Sequence, residues 1–134
     1  MDEKPTKSFL DHLEHREGFR DYVYLDSLKK LTGGTGHLLT IEDLKEYKEG
    51  DKIPETVTRK WLEKDSTKAY NAAILQAKEV GIEDQDFIEA LGAVNFQLGT
   101  GWRSNFTGAW DAIKSGDFKL AAEHARYIDP DELN

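Results

Sequence analysis

The chain has 134 residues, 38% of them apolar and 33% charged, with no cysteine and a formal net charge of −8. That suffices for one domain, or for two small lobes sharing a core, and it excludes disulfides and thiolate metal ligands. The scattered Lys and Arg and the acidic balance argue against nucleic acid as the partner, because affinity there comes from cations that neutralise phosphates.

No run approaches the roughly 20 apolar residues that cross a bilayer, and the N-terminal MDEKPTKSF lacks the basic-then-apolar pattern of a signal peptide. The chain is therefore expected to start in a cytosol, without stable membrane insertion. Ser8 is placed to cap a first helix of about ten residues, with Phe9, Leu10 and Leu13 at helical spacing and Gly18 as its stop. From Phe19 to His37 the pattern turns extended. Tyr22 and Tyr24 alternate with Val23 and Leu25, DSLKK turns the chain and LTGGTGH returns, which predicts a hairpin or three-stranded sheet.

Ile53-Pro54-Glu55 reads as the start of a long helix with proline at its first position, running to Val80 and stopped by Gly81. Its apolar positions change face, from Val57 and Trp61 to Ala73, Ile74 and Ala77, so one helix can serve two lobes. Asp84 or Asp86 caps FIEALGAVNFQLG, whose Phe87, Ile88, Leu91, Val94, Phe96 and Leu98 surround the axis, as in a central buried helix. Ser104 or Asn105 opens a helix with Phe106, Trp110 and Ile113 in register, and Asp117 caps a last one that Asp129-Pro130 breaks. Trp61, Trp102 and Trp110 read as core, with Trp102, just after Gly101 at a helix junction, the one able to flank a cleft.

Two carboxyls in the opening stretch stand in unlike settings. Glu17 follows Leu13 by four and Phe9 by eight, on the apolar face and in the last helical turn, where burial and the helix dipole both favour its protonated form. Asp26, at the exposed hairpin turn, keeps its charge. One acid able to donate and one able to act on water suit glycoside cleavage, with Thr32 on the returning strand placed to hold that water. Gly33, Gly34 and Gly36 would let backbone approach a sugar, and no Gly-Lys-Ser/Thr follows to make a phosphate loop. Taken alone, a Glu at a helix end and an Asp in a turn are usually a solvated carboxylate and an Asx turn.

A wider pattern separates these readings. E-G-F-R at 17–20, Y-x-D at 24–26, T-x-G-x-G-H at 32–37 followed by LLT, and F-Q-L-G at 96–99 followed by T-G-W-R-S-N-F-T resemble phage lysozymes of the T-even type, glycoside hydrolase family 24. The resemblance spans roughly residues 8–126. It implies an α+β, mostly helical, lysozyme-like fold: one domain over 1–134, with a small sheet lobe over 1–55, a connecting helix over 54–80 and a helical lobe over 81–134. Family members continue further with an aromatic, Arg-rich stretch, so this second lobe is expected to be truncated at its C-terminus.

The same resemblance implies Glu17 as general acid, with Asp26 and Thr32 orienting water in an inverting hydrolysis of the N-acetylmuramic acid to N-acetylglucosamine β-1,4 bond. Leu38 and Phe96 match positions lining the saccharide groove, and His37 is implied to pair structurally with an Asp on the connecting helix, where Asp65 shares the Val57 and Trp61 face. His12, His15 and His124 form no liganding cluster, so neither a metal nor a cofactor is expected. The partner is then bacterial peptidoglycan, met by a monomer held in the host cytoplasm until a holin-type partner releases it. A virion- or tail-associated lysozyme and a non-catalytic wall-binding relative are the other readings. One departure concerns the turn itself: SLKK stands where these lysozymes place a glycine, so the hairpin must turn by another route.

Overall fold

The computed structural model describes residues 2–105 and 107–115. The order of elements is α1 (Lys7–Glu17), β1 (Arg20–Leu25), β2 (Leu31–Gly34), β3 (His37–Leu38), α2 (Glu55–Glu79), α3 (Gln85–Leu98) and α4 (Thr107–Lys114), with 3-10 turns at Asp43–Lys45 and Trp102–Ser104. The chain divides into two compact units, residues 4–67 and residues 68–134, the latter joined by 1–3.

In the unit of residues 4–67, α1 is capped by Thr6, not Ser8: the extended Thr6 accepts from the Phe9 N–H at 3.1 Å, and Ser8 is already the second helical residue. Phe9, Leu10 and Leu13 are buried, and Gly18 ends the helix with its N–H on the Glu14 carbonyl. Arg59 of α2 fastens α1 from the side, its Nη2 donating to Asp11 and Glu14 and its Nε lying 2.8 Å from Glu14 Oε1.

The three strands form one antiparallel sheet in the order β1-β2-β3. The free edge of β1 is covered by the segment around Lys52, through bonds from Val23 N–H to the Asp51 carbonyl and from Ile53 N–H to the Asp21 carbonyl. Val23, Ile53 and Trp61 make the core beneath, with Leu31, Leu39, Tyr47 and Val57 against them.

Gly33 and Gly34 belong to this core and not to a sugar-facing surface, a correction to the sequence expectation. A Cβ on Gly33 would lie 2.6 Å from Ile53 Cδ1 and 3.3 Å from Trp61 Cζ3, and Gly34, at φ 61°, packs on Thr58. The missing side chains let the strand press onto α2.

Helix α2 begins one residue after Pro54, whose carbonyl accepts from Val57 and Thr58, and ends in a Schellman arrangement with Gly81 N–H on Lys78 and Ile82 N–H on Ala77. Its residues Ala73 and Ala77 pack with Leu91, Val94, Trp102, Trp110, Ala112 and Ile113 in the core of the unit of residues 68–134. Asp84 is the cap of α3, accepting from the Phe87 N–H at 3.0 Å.

Helix α3 is not buried all round: Phe87, Ile88, Phe96 and Leu98 are half-buried, while the polar Glu89 and Asn95 are buried. Asn95 organises that interior, exchanging two amide bonds with Gln76, donating to the Ala69 carbonyl and accepting from Trp102 Nε1 at 2.9 Å. Trp102, 2% exposed, is thus spent on the core and offers no face to a cleft. Ser104 lies in a 3-10 turn, and α4 starts at Thr107. Phe106 and the helix expected after Asp117 fall outside the described residues.

Candidate active site

The hairpin between β1 and β2 solves the SLKK problem with a strained residue. Asp26 N–H donates to the Lys30 carbonyl and Lys29 N–H to the Asp26 carbonyl, both at 2.9 Å, enclosing a three-residue loop. Such loops need a left-handed residue at their last position. Lys29 fills it at φ 61°, the only described non-glycine residue with positive φ.

Asp26 holds this turn with its side chain. Its Oδ1 accepts from the Leu28 and Lys30 N–H groups, each at 2.8 Å, so the carboxylate is oriented by backbone donors on one oxygen. The Lys30 carbonyl also accepts from the Thr32 hydroxyl at 2.9 Å. One peptide residue therefore fixes both expected water-binding groups: Lys30 N–H pins the Asp26 carboxylate, and Lys30 C=O takes the Thr32 proton. Thr32 is 3% exposed, and with its proton donated to Lys30 its hydroxyl oxygen keeps only accepting capacity. This role of the Lys30 backbone has no side-chain signature.

Directly across the sheet, Tyr24 pairs with Thr32 and Thr32 with Leu38, so the three share one face. Leu38 is half exposed at the far side of that row. Glu17 stands in the last turn of α1, its side chain 17% exposed, with Oε1 3.7 Å from Arg16 Nε. That neighbouring cation is absent from an account built on burial and dipole alone.

His37 lies between two carboxylates. Its Nδ1 is 2.6 Å from Asp65 Oδ2 and its Nε2 is 2.8 Å from Asp43 Oδ2, while the ring stacks on Trp61 at 4.3 Å between centroids. Burial works against the imidazolium, but the bonds to Asp65 and Asp43 outweigh it and the His37 pKa is raised. Burial also opposes ionisation of Asp43, yet the bonds from His37 and Thr40 leave its pKa lowered. Asp43 was not anticipated. Thr40 and Asp43 exchange reciprocal side-chain to backbone bonds, a capping pair visible in the sequence T-I-E-D, but its contact with His37 needs the fold.

Glu17, Asp26, Thr32, His37, Leu38 and Asp65 all fall in the unit of residues 4–67, whereas Phe96, half-buried on α3, belongs to the other. Its place in a saccharide groove rests on the resemblance alone. Among the described residues no group of three or more His, Cys, Asp or Glu is arranged to hold a metal ion, and no helix is long and apolar enough to cross a membrane.

No curated protein sequence matches the chain. Among solved structures, the endolysin from Escherichia coli O157:H7 phage FAHEc1 is similar with a TM-score of 0.68 and 21% identity, over 92% of this chain and 77% of that one. The muramidase domain of SpmX from Asticaccaulis excentricus is similar with a TM-score of 0.66 and 16% identity, over 89% and 75% of the two chains. At such identities the likeness is one of fold. The model of the phage lysozyme family matches residues 14–129, a stretch that takes in Glu17, the whole sheet and α2 to α4. The chain belongs to the phage lysozyme family, a family of glycoside hydrolases that act on peptidoglycan.

Proposed function

We propose that the chain hydrolyses the β-1,4 bond between N-acetylmuramic acid and N-acetylglucosamine in peptidoglycan with inversion at the anomeric carbon, and that it does so as an endolysin released to the wall by a holin-type partner. The observation that carries the mechanism is the double use of the Lys30 backbone. A water attacking a sugar must turn a lone pair toward the anomeric carbon, so both of its protons need acceptors elsewhere. The Asp26 side chain supplies one. Thr32, whose own proton is taken by the Lys30 carbonyl, supplies the other. Glu17 protonates the leaving oxygen from the opposite side of the sugar, and general acid catalysis of this kind contributes about 10²–10⁴-fold. Leu38, half exposed beside Thr32, offers an apolar surface to the pyranose ring.

Product stereochemistry tests the reading. Attack by held water on a β-linked substrate releases the α anomer first, visible by NMR before mutarotation, and Glu17→Gln should lower the rate by at least about 10²-fold with the fold intact. An initial β anomer would replace the water by Asp26 as nucleophile.

A further inference from the structure

The strand that carries Tyr24, the register partner of Thr32, also carries an arginine with no acid beside it. Of the arginines among the described residues, Arg16 lies near Glu17, Arg59 binds Asp11 and Glu14, and Arg103 binds Glu79. Arg20 alone faces no carboxylate within 4 Å among them. It is held by aromatic rings instead: its guanidinium carbon sits 4.5 Å from the centre of the Tyr24 ring, and its Nη1 reaches the Tyr22 hydroxyl at 3.4 Å. Tyr24 is the register partner of Thr32. Side chains directly opposite in an antiparallel pair stand about 4.5–5.5 Å apart on one face, so the aromatic shelf under Arg20 is immediately next to the water-binding hydroxyl. The bulge between Arg20 and Tyr24 in β1 breaks the strict alternation that would otherwise set their relation.

We propose that Arg20 binds a carboxylate of the substrate, namely one on the peptide attached to the muramic acid sugar, and thereby makes the enzyme prefer peptide-bearing glycan over bare glycan. The inference rests on the hydrolase reading above and adds a determinant of substrate selection to it. Stacking on Tyr24 fixes the guanidinium plane and removes conformational freedom before a ligand arrives, and the planar fork matches a carboxylate with two parallel bonds. The need is electrostatic as well. A chain of net charge −8 that acts on an anionic polymer requires local cations at its site, and an arginine already neutralised by a neighbouring acid would not serve. An exposed cation resting on the ring of Tyr24, the register partner of Thr32, and bonded to the Tyr22 hydroxyl meets that need.

The test compares kcat/KM of the wild type, Arg20→Lys and Arg20→Gln on two substrates: soluble glycan fragments carrying their peptides, and the same fragments stripped of peptide by an amidase. The preference of the wild type for the peptide-bearing substrate should fall about tenfold in Arg20→Gln, the size of one charge-assisted bond at an exposed site. Arg20→Lys should fall between, since it keeps charge but loses the fork. A preference that does not change, whether because both rates drop equally or because neither moves, overturns the role of Arg20. A wild type that cleaves neither fragment overturns the hydrolase reading itself, so the two failures are distinguishable.

Discussion

Removing the His37 ring should cost about 3 kcal/mol and change how stability depends on pH. The ring makes two hydrogen bonds to carboxylates, each of a kind worth about 1.5–3 kcal/mol, and stacks on Trp61 for about 1 kcal/mol more. The sum is discounted because the Asp65 side chain is 33% exposed. Since the pKa of His37 is raised above its ordinary 6.5 in the folded chain, its contribution is complete below about 6.5 and is lost as pH rises through the higher folded value. Asp43 acts in the opposite sense: its lowered pKa gives stability that is present above its ordinary 3.8 and lost as pH falls through the folded value. The cluster is therefore strongest in weakly acidic solution, where His37 is charged and Asp43 is ionised. Urea unfolding of the wild type at a series of pH values should show stability declining on the alkaline side of 6.5. His37→Ala should lack that decline. Asp65→Ala and Asp43→Ala should each be destabilising, and each combined with His37→Ala should cost less than the sum, because the partners touch. Additive costs, or an unchanged alkaline decline in His37→Ala, would refute the argument.

Lys29→Gly should raise stability by about 0.5–1 kcal/mol and the Tm by about 2–5 °C, because it relieves a left-handed cost of about 1–2 kcal/mol while adding some freedom to the unfolded chain; calorimetry reads the sign. Asn95→Ala, which strips the buried Trp102 indole, the Gln76 amide and the Ala69 carbonyl of a shared partner, should cost about 3–4 kcal/mol in urea unfolding, far more than a mere loss of side-chain volume. Asp11, whose pKa is lowered chiefly by the hydrogen bond from Arg59, gives stability above its ordinary 3.8 that is lost as pH falls through the folded value. Asp11→Asn should therefore weaken the acid-side loss of stability in a pH series.

What the sequence could disclose follows from how local each signal is. The end of α1 at Gly18, the hairpin, Asp84 as a cap and the exchange of apolar faces along α2 are written within a few turns of chain, and periodicity finds them. Thr6 and Ser8 offer the same hydroxyl two residues apart, and the choice falls to the one whose oxygen meets the Phe9 N–H while Phe9, Leu10 and Leu13 still face inward. The run TGGTG reads locally as a loop; only Ile53 and Trp61, more than fifteen residues away, reveal that Gly33 is a packing residue.

The proposed water-binding groups set the limit of such reading. Asp26 and Thr32 are legible as residue types, but what orients them is the N–H and C=O of Lys30, groups that every residue except proline carries. No pattern of side chains can nominate that position. The sequence records only the condition for it, a loop of three residues short enough to bring Lys30 back to Asp26. That closure forces Lys29 into the left-handed region, where a glycine would sit without strain. The absence of that glycine, which from the sequence alone casts doubt on the placement of Asp26, is absorbed by the Lys29 backbone: the Asp26 carboxylate keeps both of its backbone donors, and Lys29 carries the strain.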